Sequence, residues 1–215
     1  MLKNQAEIDL LKSAMEPGIR KPDRPHLQFS RIVNRFMKRV RFQNSTVVDL
    51  GPGHFDFADV VAQKGASVIG VELDPPVAEL GRMRGHRVIL ADLREILLDE
   101  LLGEKVDGLF CNGSINAYWF HRKPKEHIAY IEHLDAALKT GGWAWIAPWN
   151  GPPSESGQDQ SELAKTLQIQ RDTFARLGYR ELLLNRIQID RYHVSTVVPE
   201  KLLFTKGLRY LAWPW

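Results

Sequence analysis

The sequence predicts an α/β fold, doubly wound, with a mostly parallel sheet carrying helices on both faces. Two observations carry this. From residue 46 onward, short β-rich runs alternate with helical stretches, the pattern that builds parallel sheets through crossover helices. A Gly-Pro-Gly turn, residues 51–53, stands directly between the first run and the first helix of that series. The chain has 215 residues, 44% of them apolar and 26% charged. That composition excludes whole-chain disorder, and the length suits one domain with an extension.

The expected division is a helical N-terminal extension over residues 1–41 and a main domain over 42–215. In the extension, Ile8, Leu10, Leu11 and Met15 suit a short helix ended by Pro17-Gly18. Helical spacing returns at Leu27, Phe29, Ile32, Val33, Phe36, Met37 and Val40, with Arg31, Arg35, Lys38 and Arg39 on the other face. In the main domain, strands are expected at Thr46–Leu50, Ser67–Glu72, Arg87–Leu90, Val106–Cys111 and Trp143–Trp149. The helices between them run to about Gln63, from Pro75 to Met83, from Leu93 to Leu102 and from Pro124 to about Lys139. Asp74 is the expected N-cap of the second, with Pro75 at its first position. Gly141-Gly142 is the expected stop of the last. A helix over Ser161–Leu177 follows a Gly/Pro/Ser-rich loop. Two further runs, Arg180–Ile189 and Leu202–Thr205, lack a helix between them, which predicts an antiparallel pair.

Charge is unevenly spread. Residues 1–41 hold ten Lys/Arg against four Asp/Glu, and the remainder nineteen against twenty-two. Two readings stand: an anionic partner such as nucleic acid or a phosphorylated substrate, or a solvated helix face. No apolar run approaches the ~18 residues of a membrane-spanning helix. The polar, acid-bearing N-terminus reads as neither a secretory signal nor a transit peptide. The lone Cys111 excludes an internal disulfide and a cysteine-cluster zinc site. No metal is expected, and a reducing, cytoplasmic setting is the simplest inference.

The stretch VVDLGPGHFDFADVV puts Gly51 and Gly53 after a strand and before a helix. A ligand resting on the carboxyl end of a strand needs close backbone approach, which a Cβ blocks. The helix beyond offers unpaired N–H groups. Glu72, twenty-one residues after Gly51, ends the second strand. In a Rossmann-like fold, a carboxylate there reaches the ribose hydroxyls of an adenosine ligand. Charge-assisted bonds of this kind are worth about 1.5–3 kcal/mol each.

The motifs VVDLGPG, GVELD, ADL, DGLFCNGSIN and LKTGGWAWI make residues 28–148 resemble the class I S-adenosylmethionine-dependent methyltransferases. The resemblance implies a seven-stranded sheet, mostly parallel with an antiparallel last strand, and S-adenosylmethionine as cofactor. It implies that the loop Gly51, Pro52, Gly53, His54, Phe55 wraps the methionine part, with Asp49 as the acid before it. Glu72 then takes the ribose, with Leu73 beside it. Asp92 reaches the adenine amino group, with Leu93 lending backbone or packing. Asn112 and Gly113 face both methionine and acceptor. Phe55 stands where the family has a third glycine. His54 either approaches the sulfonium or faces solvent. The Asp/Asn-Pro-Pro-aromatic signature of base-amino methyltransferases is missing from CNGSIN.

A dehydrogenase would need glycine where Asp56 stands, and a short-chain dehydrogenase would need Tyr-x-x-x-Lys. Tyr118 is followed by Arg122 and Tyr130 by Leu134, so neither fits. Methyl transfer from a sulfonium asks chiefly for in-line positioning, with a general base only where the acceptor must lose a proton. His121 is the candidate base, or else a loop histidine beside Arg122 and Lys123; His127 is expected on a helix surface. Tyr118, Trp119 and Trp149 are the candidate acceptor pocket. Trp143 and Trp145, on the same strand face as Trp149 by period two, suit the core. The expected function is transfer of a methyl group to nitrogen or oxygen of a small-molecule acceptor. Methylation of RNA and a non-catalytic cofactor-fold binding protein are the alternatives.

Overall fold

The computed structural model describes residues 4–15, 17, 19–20, 29–30, 33–34, 37, 40–95, 97–112, 114, 120, 122–147, 160–183 and 202–206. Two compact units divide the chain, Met1–Ile96 and Leu97–Trp215. Five strands make parallel pairings, three in the first unit and two in the second, as an α/β fold requires.

The first unit opens with α1 (Gln5–Lys12). Its start is set by a capping box: the Asn4 side chain accepts from the Glu7 N–H, and the Glu7 side chain accepts from the Asn4 N–H. Then come β1 (Thr46–Leu50), α2 (Asp56–Ala62), β2 (Ser67–Glu72), α3 (Pro75–Met83) and β3 (Arg87–Leu90). The strands lie in the order β3-β2-β1, all parallel. Val47, Val48, Leu50, Ile69 and Val71 are buried. Such near-continuous apolar runs belong to strands covered on both faces. Helix α1 packs against α3, burying Leu11. The basic amphipathic helix expected over 27–40 lies mostly outside the described residues; Val33, Met37 and Val40 from its apolar face are buried.

The second unit contains α4 (Leu98–Leu102), β4 (Val106–Asn112), α5 (Pro124–Ala137), β5 (Leu138–Ala147), α6 (Gln160–Arg176), β6 (Tyr179–Leu183) and β7 (Leu202–Lys206). Strands β4 and β5 are parallel, and β7 runs antiparallel to both β5 and β6. Trp143 and Trp145 are core residues. Trp145 stacks on Phe110. A Cβ on Gly108 would fall 2.1 Å from the Trp143 ring, so the indole occupies the groove that glycine leaves open.

The larger departures from expectation are two helix ends, the start of β5 at Leu138 rather than Trp143, and one helix cap. Helix α4 begins at Leu98, not Leu93, because the Asp92 carboxylate takes the Arg94 N–H in a local turn. Helix α5 gives way to strand at Leu138, where Leu138 pairs with Val106, before Gly141 is reached. Asp74 sits at the N-cap of α3 but makes no capping bond; its carboxylate accepts from the Met15 N–H instead.

Candidate functional site

The glycine loop is built by three left-handed residues. Gly51 and Gly53 have φ of 68° and 54°, a region open to glycine at little cost. The Gly51 N–H donates to the Val71 carbonyl at 2.9 Å, tying the loop to β2. A Cβ built on Gly53 meets nothing within 4 Å, so one side of the loop backbone faces open space.

Phe55 is the third, with φ 58° and ψ 18°. Left-handed backbone costs a residue with a Cβ about 1–2 kcal/mol. The phenyl ring recovers it. Phe55 is 0% exposed, lies against Gly70 and Gly81, and stacks on the His86 ring at 5.6 Å. Burying such a side chain contributes about 1.5–3 kcal/mol. Phe55 therefore takes a left-handed backbone that glycine would adopt at little cost, and its side chain belongs to the core rather than to a ligand surface. The Pro52 ring also rests over Gly70.

His54 does not face solvent. It is buried, its Nε2 bonded to the Ile19 carbonyl at 2.6 Å. A carbonyl only accepts, so Nε2 carries the proton. The His54 carbonyl accepts from Arg84 Nη1 at 2.6 Å. Arg84 also binds Glu7 Oε1 at 2.7 Å and Asp59 Oδ2 at 3.0 Å, and His86 Nε2 binds Asp59 Oδ1 at 2.8 Å. This buried network fastens α1 and α2 to the turn after α3. Its central residue was not legible in the sequence, since Arg84 and Glu7 are 77 positions apart. The Asn4-x-x-Glu7 capping box is a second local signal for α1, beside the spacing of Ile8, Leu10 and Leu11.

Acidic groups cluster at the carboxyl ends of β1 and β2. Glu72 is 7% exposed, and its Oε1 accepts from the Leu73 and Asp74 N–H groups at 2.8 and 3.0 Å. Burial pushes its carboxyl above the usual range, while the N–H groups of Asp74, Leu73 and Gly53 pull it back. Asp49 is 2% exposed, and its Oδ2 has no hydrogen-bond partner. Burial, then the charges of Glu72 and Asp56, push its carboxyl well up. Asp74 Oδ1 is likewise buried without a partner. Glu72 is the carboxylate tied to the open glycine backbone, through the Gly53 N–H, and a carboxylate placed there suits a ligand that brings hydroxyl donors. The residues present thus fit an adenosyl sulfonium.

Leu73 and Leu90, at the ends of β2 and β3, are exposed apolar residues. Leu93 is half-buried. Asp92 is held by Arg94, whose Nε reaches Oδ1 and Oδ2 at 2.8 and 3.0 Å and whose Nη2 also bonds Oδ2. The Arg94 guanidinium is the main cause holding the Asp92 carboxyl below its usual range.

In the second unit, Asn112 ends β4, half-buried. Cys111 is buried beside it, with Sγ 3.1 Å from Ser114 Oγ. Gly113, Tyr118, Trp119, His121 and Trp149 lie outside the described residues. His127 is not on the surface. It is 1% exposed and stacks on Phe120 at 4.7 Å, and Phe120 stacks in turn on Tyr130. Burial pulls the His127 imidazole down to about 4, against the opposing hydrogen bond with Gln170.

No protein-family model matches the sequence, and no curated protein matches it. Solved structures do. An amino pentose methyltransferase from Micromonospora echinaspora, with S-adenosylmethionine bound, aligns at TM-score 0.61 and 18% identity over 86% of this chain and 93% of its own. A sugar N-methyltransferase from a Streptoalloteichus species aligns at 0.60 and 12% over 86% and 89%. A magnesium protoporphyrin IX methyltransferase from Synechocystis, also with S-adenosylmethionine bound, aligns at 0.55 and 14% over 95% and 93%. The chain has the class I S-adenosylmethionine-dependent methyltransferase fold.

Proposed function

We propose that the protein is an S-adenosylmethionine-dependent methyltransferase that acts on nitrogen or oxygen of a small-molecule acceptor. The observation that carries this is the pairing of Glu72, locked by backbone N–H groups at the end of β2, with the open backbone of Gly53. When bound, the cofactor supplies an already activated methyl group. The chain's part is to hold and orient. Glu72 accepts from the ribose hydroxyls. Gly51, Pro52 and Gly53 give close backbone approach, and Asp49, buried on β1 just before them, backs the loop from within the core. Leu73 and Leu93 supply apolar surface for the adenine, and Asp92 accepts from its amino group. The strand inventory supports the seven-stranded form of the fold with its antiparallel last strand. Among the described residues no helix is long and apolar enough to cross a membrane.

The small-molecule reading draws on the sugar and porphyrin methyltransferases that share the fold. The non-catalytic alternative rested on Phe55 displacing the third glycine. That support is gone, since the Phe55 ring is in the core and its backbone takes the left-handed form.

The test is transfer of label from methyl-labelled S-adenosylmethionine to a panel of amino sugars, hydroxylated sugars, porphyrin carboxylates and RNA. Label on a small molecule supports the reading. Label only on RNA, with activity falling steeply in salt, rejects the acceptor class. Tight cofactor binding with label on none rejects catalysis.

A further inference from the structure

We propose that His54 is a positioning residue that makes the N-terminal segment 13–20 part of the cofactor site, so that docking of this segment and binding of the cofactor are coupled. The proposal rests on the reading that the loop at 51–53 and Glu72 receive the cofactor. Two ties hold the segment, and both land on residues flanking that site. The His54 ring, next to Gly53, donates to the Ile19 carbonyl at 2.6 Å. The Asp74 carboxylate, two residues beyond Glu72, accepts from the Met15 N–H. Arg20 adds two bonds, its Nε donating to the Ala14 carbonyl at 2.6 Å and its Nη2 to the Met15 carbonyl at 3.2 Å.

His54 is gripped from both ends. Its carbonyl is held by Arg84, which also holds Glu7 on α1, and its ring holds Ile19. The peptide that follows Gly53 is thus set by contacts from the extension as well as by the loop's own turn. Asp74 works the same way from the other side. Its N–H donates to Glu72 Oε1 while its side chain holds Met15. Displacing segment 13–20 removes one of the two holds on His54 and the side-chain hold on Asp74, and a ligand that needs the groups beside them in place favours the docked segment. Linkage makes the effect reciprocal.

The experiment uses the full chain and S-adenosylhomocysteine as probe, with calorimetry for affinity and amide exchange for residues 13–20. His54→Ala removes the ring donor. His54→Gln keeps an N–H donor near the same position. Coupling of ordinary size predicts about tenfold weaker binding in His54→Ala and binding within about twofold of wild type in His54→Gln. The probe slows exchange in the segment of the wild type and of His54→Gln, and not of His54→Ala. Circular dichroism confirms that each variant is folded. Unchanged affinity in His54→Ala beside a binding wild type overturns this proposal alone, as does a folded His54→Gln that binds as weakly as His54→Ala. A wild type that does not bind the probe overturns the functional reading, and this proposal with it.

Discussion

The ring of Phe55 occupies the space where a Cβ on Gly81 would stand, with Cζ only 2.2 Å from that position. The contact ties the conformation of the glycine loop to helix α3, because the side chain that fixes a left-handed loop residue is clamped by a missing side chain on the helix.

Gly81→Ala therefore reverses the usual sign. In an ordinary helix interior the change gains about 1 kcal/mol. Here overpacking against a fully buried ring costs about 1–3 kcal/mol. Urea denaturation measures the difference, with the midpoint lowered. Because the clash pushes on Phe55, affinity for S-adenosylhomocysteine drops in the same variant.

Glu72→Gln separates stability from function. Burial raises the folded-state pKa of Glu72 above 4.5. The charged form is then the costly one: stability is fullest below 4.5 and declines as pH rises through the folded pKa. Removing the charge raises the melting temperature at pH 7.5. The amide still accepts from the Leu73 and Asp74 N–H groups, so the turn is kept. Cofactor affinity falls about tenfold or more with loss of a charge-assisted bond. Differential scanning fluorimetry with calorimetric titration reads both.

Arg94 competes for Asp92. Its guanidinium occupies both carboxylate oxygens, which an adenine amino group would have to share. Arg94→Ala tightens S-adenosylhomocysteine binding several-fold in dilute buffer. The gain shrinks at about 0.5 M salt, where an exposed pair is already screened. Titrations at two ionic strengths decide it.

His127 gives a pH signature. The folded protein holds it neutral down to about 4, while the unfolded chain protonates near 6.5. The unfolded state binds more protons between these values, so stability is full above 6.5 and is lost as pH falls toward 4. The loss is on the order of 3 kcal/mol at most. His127→Gln flattens that part of the profile. Urea midpoints at pH 7 and 4.5, wild type against variant, isolate the contribution.

Much of the first unit was legible in the sequence. Strands at 46–50, 67–72 and 87–90 match residue for residue, because apolar runs bounded by Gly, Pro and Asp are local signals. The turn at 51–53 and the place of Glu72 at the end of β2 were legible for the same reason. What escaped depends on tertiary contact. Asp74 reads as an N-cap by local rules, but Met15 claims its carboxylate. His127 sits among Lys125, Glu126 and Glu132, a polar surrounding that points to a surface, yet Phe120 and Gln170 enclose it. Helix α5 yields to strand at Leu138 because Val106 offers a pairing partner there, which periodicity alone does not report.

The most direct measurement is calorimetric titration of the folded protein with S-adenosylhomocysteine, run beside NAD and beside the Glu72→Gln variant. The expected result is saturable one-to-one binding of S-adenosylhomocysteine, none of NAD, and marked weakening in the variant. Absence of heat with S-adenosylhomocysteine, or equal affinity in Glu72→Gln, would contradict it.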